Sequence, residues 1–582
     1  MTTTYSRRNF LKTVSAGGVL LVTPSGLQSM SKDNALQRVS ITQREETLTA
    51  DIVIIGGGLG GVAAALSSLR NGKRVILTEE TDWLGGQLTQ QGVPPDEHRW
   101  IEHTGSTKTY RELRNHIREY YRSNYPLKES ARNNPYLNPG NASVSRLCHE
   151  PKVALTIILE ILAPYISSGK LTVLYQYKAI KSSVNKDTVE DITVKSSVTA
   201  DIKILKAPYF VDATELGDLL PLTGTEFITG SESRKDTGEL HAPEEANPNN
   251  IQAFTICFAI DYLPEENHVI EKPSDYTFWR DFTPQLKQPW PGKLLAMHYS
   301  NPRTLEKKAL CVDPTNKGCG DIFNLWSYRR IVDKNNFEDG FYSGDISLIN
   351  WPQNDYFLGN LIGASDRDFN KFVEEGKQLS LSLLYWLQTE APHPDGGKGW
   401  PGLRLRKDIL GTDDGLAKYP YVREARRIKS LFTVTEEHVG CDNRALVATE
   451  NKDKAAFFHD SIGIGYYPID LHPTTAMDNY IDMDALRFQI PLGALLPVRM
   501  KNLIPANKNI GTTHITNGCY RLHPVEWNIG EAVGELLSFS LDNNYSPHQI
   551  RKEKNVLNDF QLRIRSRGIE TEWPSDEELE KM

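Results

Sequence analysis

Apolar residues come in short blocks along this chain, and their spacing changes from block to block. Asp51-Ile-Val-Ile-Ile55 is a continuous apolar run, the pattern of a strand buried on both faces of a parallel sheet. A glycine-rich stretch, Gly56-Gly-Gly-Leu-Gly-Gly61, follows it, and Val62 to Arg70 has the composition of a helix. A second apolar run, Arg74-Val-Ile-Leu-Thr78, ends at Glu79, and further on Pro151 to Ser168 reads as a helix and Leu171 to Gln176 as a strand. Between Ile180 and Leu205 polar and apolar residues alternate instead, as in Asp191-Ile-Thr-Val-Lys and Asp201-Ile-Lys-Ile-Leu, which predicts a hairpin or meander. From about residue 225 to 495 aromatics and prolines are frequent and the strand-like runs are short, Ala253-Phe-Thr-Ile-Cys-Phe-Ala259 among them. Strand alternating with helix in the first part predicts α/β architecture, with a second α+β region built from the middle of the chain. No internal repeat is evident. The loop His393-Pro-Asp-Gly-Gly-Lys-Gly-Trp-Pro-Gly402 is turn chemistry, either a lid or a surface connection.

Composition narrows the class. With 582 residues, 39% hydrophobic and 24% charged, the chain can bury a large core, in two domains or one interleaved body, and disorder, collagen and a small disulfide scaffold are excluded. Sixty-six Lys and Arg against 74 Asp and Glu leave a formal charge of −8, so nothing draws the body to a polyphosphate backbone and no nucleic-acid partner is expected. The six cysteines, Cys148, Cys257, Cys311, Cys319, Cys441 and Cys519, form no C-x-x-C pair, and no metal is expected.

The first residues read as an address. Thr4 to Lys12 is TYSRRNFLK, and an apolar run from Thr13 to Val22 follows, the order of charges and hydrophobes of a twin-arginine export leader. The run is far below the ~20 residues that span a bilayer, and no other such segment occurs, so no stable membrane span is expected. No clean A-x-A precedes the polar stretch Gln28 to Thr47, so the leader is either cut there or retained. A periplasmic or secreted location follows as an expectation.

The candidate chemistry starts at the glycines. Gly56 allows the tight turn after the first strand, Gly58 lets backbone approach a pyrophosphate at the helix N-terminus, and Gly61 lets helix and strand pack closely. Glu79 lies 79 − 56 = 23 residues past the first glycine, where a carboxylate can hold a ribose 2′-OH, with Glu80 its rival. Thr81-Asp-Trp-Leu-Gly85-Gly86-Gln87 places a second glycine pair just past that acid. This arrangement resembles the glutathione-reductase-like flavoproteins, in which the chain after the pair runs along the flavin. The sequence is similar to the FAD-dependent oxidoreductase family, with GGQ at this pair, over most of the chain after about residue 50. Gly92–His98, Arg146–Pro151, Pro420–Arg427 and Gly511–Pro524 are similar to family blocks.

The resemblance implies noncovalent FAD on a Rossmann-like domain built from discontinuous segments, with an interleaved α+β substrate domain. The segment Tyr209 to Asp218 looks like the strand end that returns to the cofactor, and Asn502-Leu-Ile-Pro505 with Trp527 to Gly534 looks like the last strand and helix. The implied organisation is a signal region over 1–30, an FAD-binding domain over 45–224 with the meander 178–206 inserted, a substrate or cap domain over 225–497, the rest of the FAD domain over 498–540, and a helical extension over 541–582. Cofactor contacts are expected from Gly56, Gly58, Gly61, Glu79, Gly85, Gly86, Gln87, Ala179, Asp212, Glu215, Asn528 and Gly530. There is no second glycine fingerprint for a nicotinamide nucleotide and no paired-cysteine redox centre.

A flavin needs a C–H bond placed over N5, a base for the departing proton, and charge stabilisation near N1 and O2. His514 and His523 flank the turn before the last helix and lead the candidates for the base; His472 and His149 follow. Arg423 either binds an acidic substrate group or flavin O2, or pairs with Glu424 and its neighbours. Cys148 and Cys519 read as buried core cysteines, and Cys311 with Cys319 is close enough in sequence for a local disulfide. The function expected is an exported FAD-dependent dehydrogenase or oxidase. It takes hydride from an alcohol or amine carbon of a small polar substrate, a sugar derivative being suited to aromatics such as Trp326, Trp351, Tyr356 and Trp400. Its electron acceptor is not legible. The alternatives are a flavin-dependent reductase of an unsaturated substrate fed by a partner, and a degenerate flavin-binding scaffold.

Overall fold

The computed structural model describes residues 45–582; the twin-arginine pattern lies outside the described residues. The chain enters with β1 (Glu46–Thr49) and β2 (Ile52–Ile55), turns through the glycines into α1 (Leu59–Arg70), and returns as β3 (Val75–Glu79). After α2 (Pro151–Ser167) come β4 (Leu171–Tyr175), the meander β5 (Tyr177–Asn185), β6 (Thr188–Ser196) and β7 (Ile202–Lys206), and then β8 (Tyr209–Asp212). Near the C-terminus lie β9 (Leu503–Pro505), α3 (His514–Tyr520) and α4 (His523–Asn543).

Five of these strands form one sheet in the order β9-β8-β2-β3-β4. All its pairs are parallel, with Ile52 opposite both Val75 and Tyr209, and Leu503 opposite Phe210. Burial on both faces explains the unbroken apolar run of β2. Ile52 and Ile54 point into the large core that holds α1 and α4, and Val53 and Ile55 point into a second core beneath the meander. The meander is four-stranded, because β1 adds to β7 in parallel. Its exposed, polar edge gives β1 no apolar signature. Helices α1 and α4 cross where Gly60 meets Gly530: a Cβ on Gly530 would lie 2.0 Å from the Gly60 carbonyl oxygen, so no larger residue fits that crossing.

The middle of the chain builds an antiparallel sheet of Arg330–Val332, Ile346–Ile349, Phe258–Tyr262 and Leu403–Leu405. The helix Asp366–Thr389, which the pattern of the sequence did not single out, buries Leu379, Leu383 and Leu387 in the same core as Trp326, Trp351 and Tyr356. The expected strand over Ala253–Ala259 is two strands. Phe254–Thr255 pairs with Asp355–Tyr356, and Phe258–Tyr262 turns to other partners. In the loop 393–402, His393 stacks on the buried Trp400 with ring centroids 3.7 Å apart, which ties the loop down as a connection. Among the described residues no helix is long and apolar enough to cross a membrane.

Candidate active site

The glycine turn sits at the C-terminal ends of β2, β3 and β8, where an α/β sheet opens a crevice. Gly56 has φ +104°, and a Cβ there would lie 2.1 Å from the Ala213 carbonyl oxygen; Gly61 is as crowded, 2.0 Å from the Gly56 carbonyl oxygen. Gly58 is the N-cap of α1 and brings no side chain to the helix end. Its Cβ would stand 2.9 Å from Glu215 Oε1, so any side chain there would crowd Glu215 on the crevice wall. Gly57, Glu79, Ala179, Thr214, Glu215 and Tyr419 are on its walls.

Glu79 ends β3 beneath the turn. Its Oε2 accepts from the Gly57 amide at 3.0 Å and its Oε1 from the Thr81 amide at 2.8 Å. Burial pushes its pKa up to about 7 against those hydrogen bonds. Glu80 lines the same crevice, 3.7 Å from Lys178. The second glycine pair is tied to the first: the Gly85 amide donates to the Gly57 carbonyl at 2.8 Å, with φ +113° at Gly85 and +53° at Gly86. Gln87 donates from Nε2 to the Arg521 carbonyl at 2.9 Å and to Glu526, whose other oxygen accepts from the Gly60 amide at 3.2 Å. A contact that sequence reasoning missed is the buried Lys508, whose Nζ lies 2.6 Å from Glu215 Oε2. The Oε1 atoms of Gln87 and Glu215 are buried and without partners.

Three expected cofactor contacts also serve the fold. Asp212 spends both oxygens on the turn after β8, accepting from the Thr214 amide at 3.0 Å and the Leu219 amide at 3.1 Å. Asn528 donates to the Ile462 carbonyl at 3.2 Å, and Gly530 serves the helix crossing. The remaining arrangement fits an adenine dinucleotide: a glycine cradle, a helix N-terminus whose cap residue carries no side chain, a ribose-length acid, and orphaned polar atoms beside a buried lysine.

Two strips of chain lead away from this crevice to a cavity of about 350 Å³. One passes Gln90 and reaches Asp96; the other passes Tyr419 and reaches Tyr421 and Arg423, and the Lys418 amide donates to the Gln90 carbonyl at 2.9 Å to hold the two together. Arg521, the residue two before α4, joins them on the cavity wall, as do Arg329, Asp470, His472 and Tyr480.

His472 is the expected histidine that the fold places on this wall. Its Nδ1 lies 2.6 Å from Asp355 Oδ2 and its Nε2 3.5 Å from Asp470 Oδ2. Asp355 also accepts from Thr255 Oγ1 at 2.7 Å and pairs with Arg423 Nη2 at 3.0 Å. Burial alone would raise Asp355, but Arg423 and His472 hold it below the usual carboxylate range; Asp470 is lowered likewise by His472 and Arg521.

His514 and His523 are buried elsewhere. His514 Nδ1 lies 2.9 Å from Glu424 Oε1, which also accepts from Arg427 at 2.6 Å, and this pairing raises its pKa in spite of burial. Glu424 therefore belongs to Arg427 and His514, and Arg423 to Asp355. His523 has both ring nitrogens engaged: Nδ1 accepts from the Asp96 amide at 3.1 Å, and Nε2 faces the Val93 carbonyl at 3.2 Å. Burial lowers it to about 4, so it is a neutral structural ring. His149 is buried beside the Glu150 carbonyl. Of the aromatics, Trp351 reaches the cavity, and Trp326, Tyr356 and Trp400 are core. Cys311 and Cys319 form a disulfide, while Cys148 and Cys519 are free and buried. Among the described residues no cluster of His, Cys, Asp and Glu could hold a metal.

The model of the family described as FAD dependent oxidoreductase matches residues 51–563, and the chain belongs to that family. Its cofactor is accordingly FAD and its activity that of an oxidoreductase. Similar solved structures include p-nitrophenol 4-monooxygenase from Pseudomonas putida DLL-E4, at 10% identity over 92% of both chains with a TM-score of 0.35. A geranylgeranyl bacteriochlorophyll reductase-like protein from Thermoplasma acidophilum is 10% identical over 92% of this chain and 91% of that one, TM-score 0.28. L-proline dehydrogenase from P. horikoshii is 16% identical over 32% of this chain, TM-score 0.17, and the match spans only 25% of that enzyme's length.

Proposed function

We propose that this flavoenzyme oxidises an alcohol or amine carbon of a small polar substrate held in the 350 Å³ cavity, with His472 as the base. The observation that carries the reading is the position of His472, on the cavity wall and between Asp355 and Asp470. In the neutral ring, donation of Nδ1–H to Asp355 leaves on Nε2, which faces Asp470 at 3.5 Å, the lone pair for a substrate O–H or N–H. The two carboxylates then offset the positive charge the ring takes up with that proton, as the third member of a catalytic triad does. Bound FAD supplies the two-electron acceptor at N5. Gly56, Gly58 and Glu79 hold its adenosine and pyrophosphate end, and the strip from Gly85 to Asp96 runs from there to the cavity.

Residues 45–224 and 498–540 chiefly carry the cofactor in this reading, and residues 225–497 the substrate. Export by the twin-arginine route places the enzyme in the periplasm or outside the cell. The leader pattern at Ser6-Arg-Arg-Asn-Phe-Leu-Lys12 supports that location, and so does the Cys311–Cys319 disulfide, a bond at home in an oxidising compartment.

The test is anaerobic titration of the yellow protein with a panel of alcohols, amines and unsaturated acceptors. Bleaching by an alcohol or amine supports the proposal, and peroxide on return of air identifies oxygen as the electron acceptor. If the dithionite-reduced protein is instead reoxidised by an unsaturated compound and no alcohol or amine bleaches it, the enzyme runs as a reductase.

A further inference from the structure

The proposed substrate cavity has an unusual wall. Arg329, Arg423 and Arg521 all line it and are at most 7% exposed. Each has a single carboxylate partner, reached through Nη2: Asp96 at 3.1 Å, Asp355 at 3.0 Å and Asp470 at 3.2 Å. Each also keeps a buried Nε–H with no acceptor at all. A guanidinium carries five donors and no acceptor; Arg423 spends some of them on the Ala253 carbonyl and Thr255 Oγ1, and Arg521 on Tyr421 Oη and the Asp470 carbonyl, and what remains of their Nη groups faces the cavity. Arg303 and Lys308 stand on the same wall nearer solvent, and Asp482 is the acid beside them. Five cations and three carboxylates line the cavity, and Asp355 and Asp484 stand behind it as partners of Arg423 and Arg303.

The guanidinia are also arranged around the base. Tyr421 joins two of them, accepting from Arg521 Nη1 at 2.8 Å while the Arg423 guanidinium lies 4.9 Å from its ring centroid. Asp355 is shared by Arg423 and His472, and Asp470 by Arg521 and His472. His472 is thus one carboxylate away from Arg423 and from Arg521. A ligand that fits this spacing has an anionic group for the arginines and an O–H immediately beside it for His472.

We infer that the substrate is a 2-hydroxycarboxylate, its carboxylate held by Arg423 and Arg521 and its 2-hydroxyl directed at His472. This deepens the proposed function and rests on it. The step balances as a two-electron oxidation. The hydroxyl proton goes to His472 Nε2 and the C–O bond becomes a carbonyl, giving the 2-oxo acid; bound FAD would be the oxidant that takes the C2 hydrogen as hydride. Guanidinium recognition of a carboxylate is geometric as well as electrostatic, so lysine is a poor replacement at either position.

The test uses the FAD-loaded enzyme and two probes of nearly equal size, D-gluconate and sorbitol, which differ in the carboxylate. Binding is read from the shift each causes in the flavin absorbance spectrum, and L-lactate serves as the minimal member of the class. The expected result is a Kd for gluconate at least about tenfold below that for sorbitol, and a rise of about tenfold or more for gluconate alone in Arg521→Lys. The wild-type comparison stands even if that variant fails to fold. Equal affinity for gluconate and sorbitol, or no spectral response to gluconate and lactate, overturns the inference. Flavin bleaching by a neutral alcohol in the same experiment then leaves the proposed function intact; absence of bleaching by any alcohol or amine overturns both.

Discussion

Asp355 Oδ2 lies 2.6 Å from His472 Nδ1, across 117 residues of chain, behind the wall of the 350 Å³ cavity. If Asp355 holds the ring in its basic tautomer, Asp355→Asn inverts the hydrogen bond and presents Nε2–H to the substrate. The rate of anaerobic flavin reduction should fall by about 10²–10⁴-fold with FAD content unchanged. An Asn variant that keeps the wild-type rate per bound flavin assigns Asp355 a purely structural part.

FAD retention depends on the glycine cradle. Gly58→Val puts a branched side chain where a single Cβ already comes within 2.9 Å of Glu215, and the protein should purify colourless and fail to take up added FAD. Glu79→Ala should weaken FAD binding by about 1–3 kcal/mol through the lost ribose hydrogen bonds, measured as Kd on the reconstituted apoprotein. An unchanged Kd would pass the ribose role to another group.

His523 gives a pH signature in stability. Its pKa is depressed by burial from 6.5 to about 4, so between those values the unfolded chain binds the extra proton. The stabilisation is complete above pH 6.5 and is lost as the pH falls to 4, about 3 kcal/mol from this one ring. His523→Gln should therefore flatten the fall in melting temperature between pH 7 and pH 5 while flavin reduction per bound FAD stays near wild type. A variant as acid-sensitive as wild type would remove His523 from the account of that slope.

Export is tested separately. Arg7 and Arg8 replaced together by Lys keep the charge and lose the guanidinium pair, and the protein should accumulate in the cytoplasm. Periplasmic yield equal to wild type would refute the leader.

The sheet was legible because each of its strands is local information. β2 and β3 are buried on both faces and so apolar without interruption, and the glycine turn between β2 and α1 needs residues that no other element requires in that order. The polar edge strand β1 carries no such mark, and the strand expected over Ala253–Ala259 split because its two halves found different partners. Much of the candidate active site was not legible for a related reason. Asp355, Arg329 and Lys508 come from segments far apart in the chain, and no spacing links them to His472 or Glu215. His514 and His523 were drawn to the site by closeness in sequence to the start of α4, but each ring turns into packed protein, toward Glu424 and the Val93–Asp96 backbone. His472, remote in sequence, is the one on the wall.

The most direct measurement is the anaerobic flavin reduction rate per bound FAD in His472→Gln, set beside His514→Gln, with a substrate that bleaches the wild type. The account predicts full FAD content in both, a fall of about 10²–10⁴-fold in the His472 variant that shrinks at high pH as the substrate gives up its own proton, and a near wild-type rate in the His514 variant. A His472 variant that reduces its flavin at the wild-type rate, or a His514 variant that alone loses it, would contradict the placement of the chemistry in this cavity.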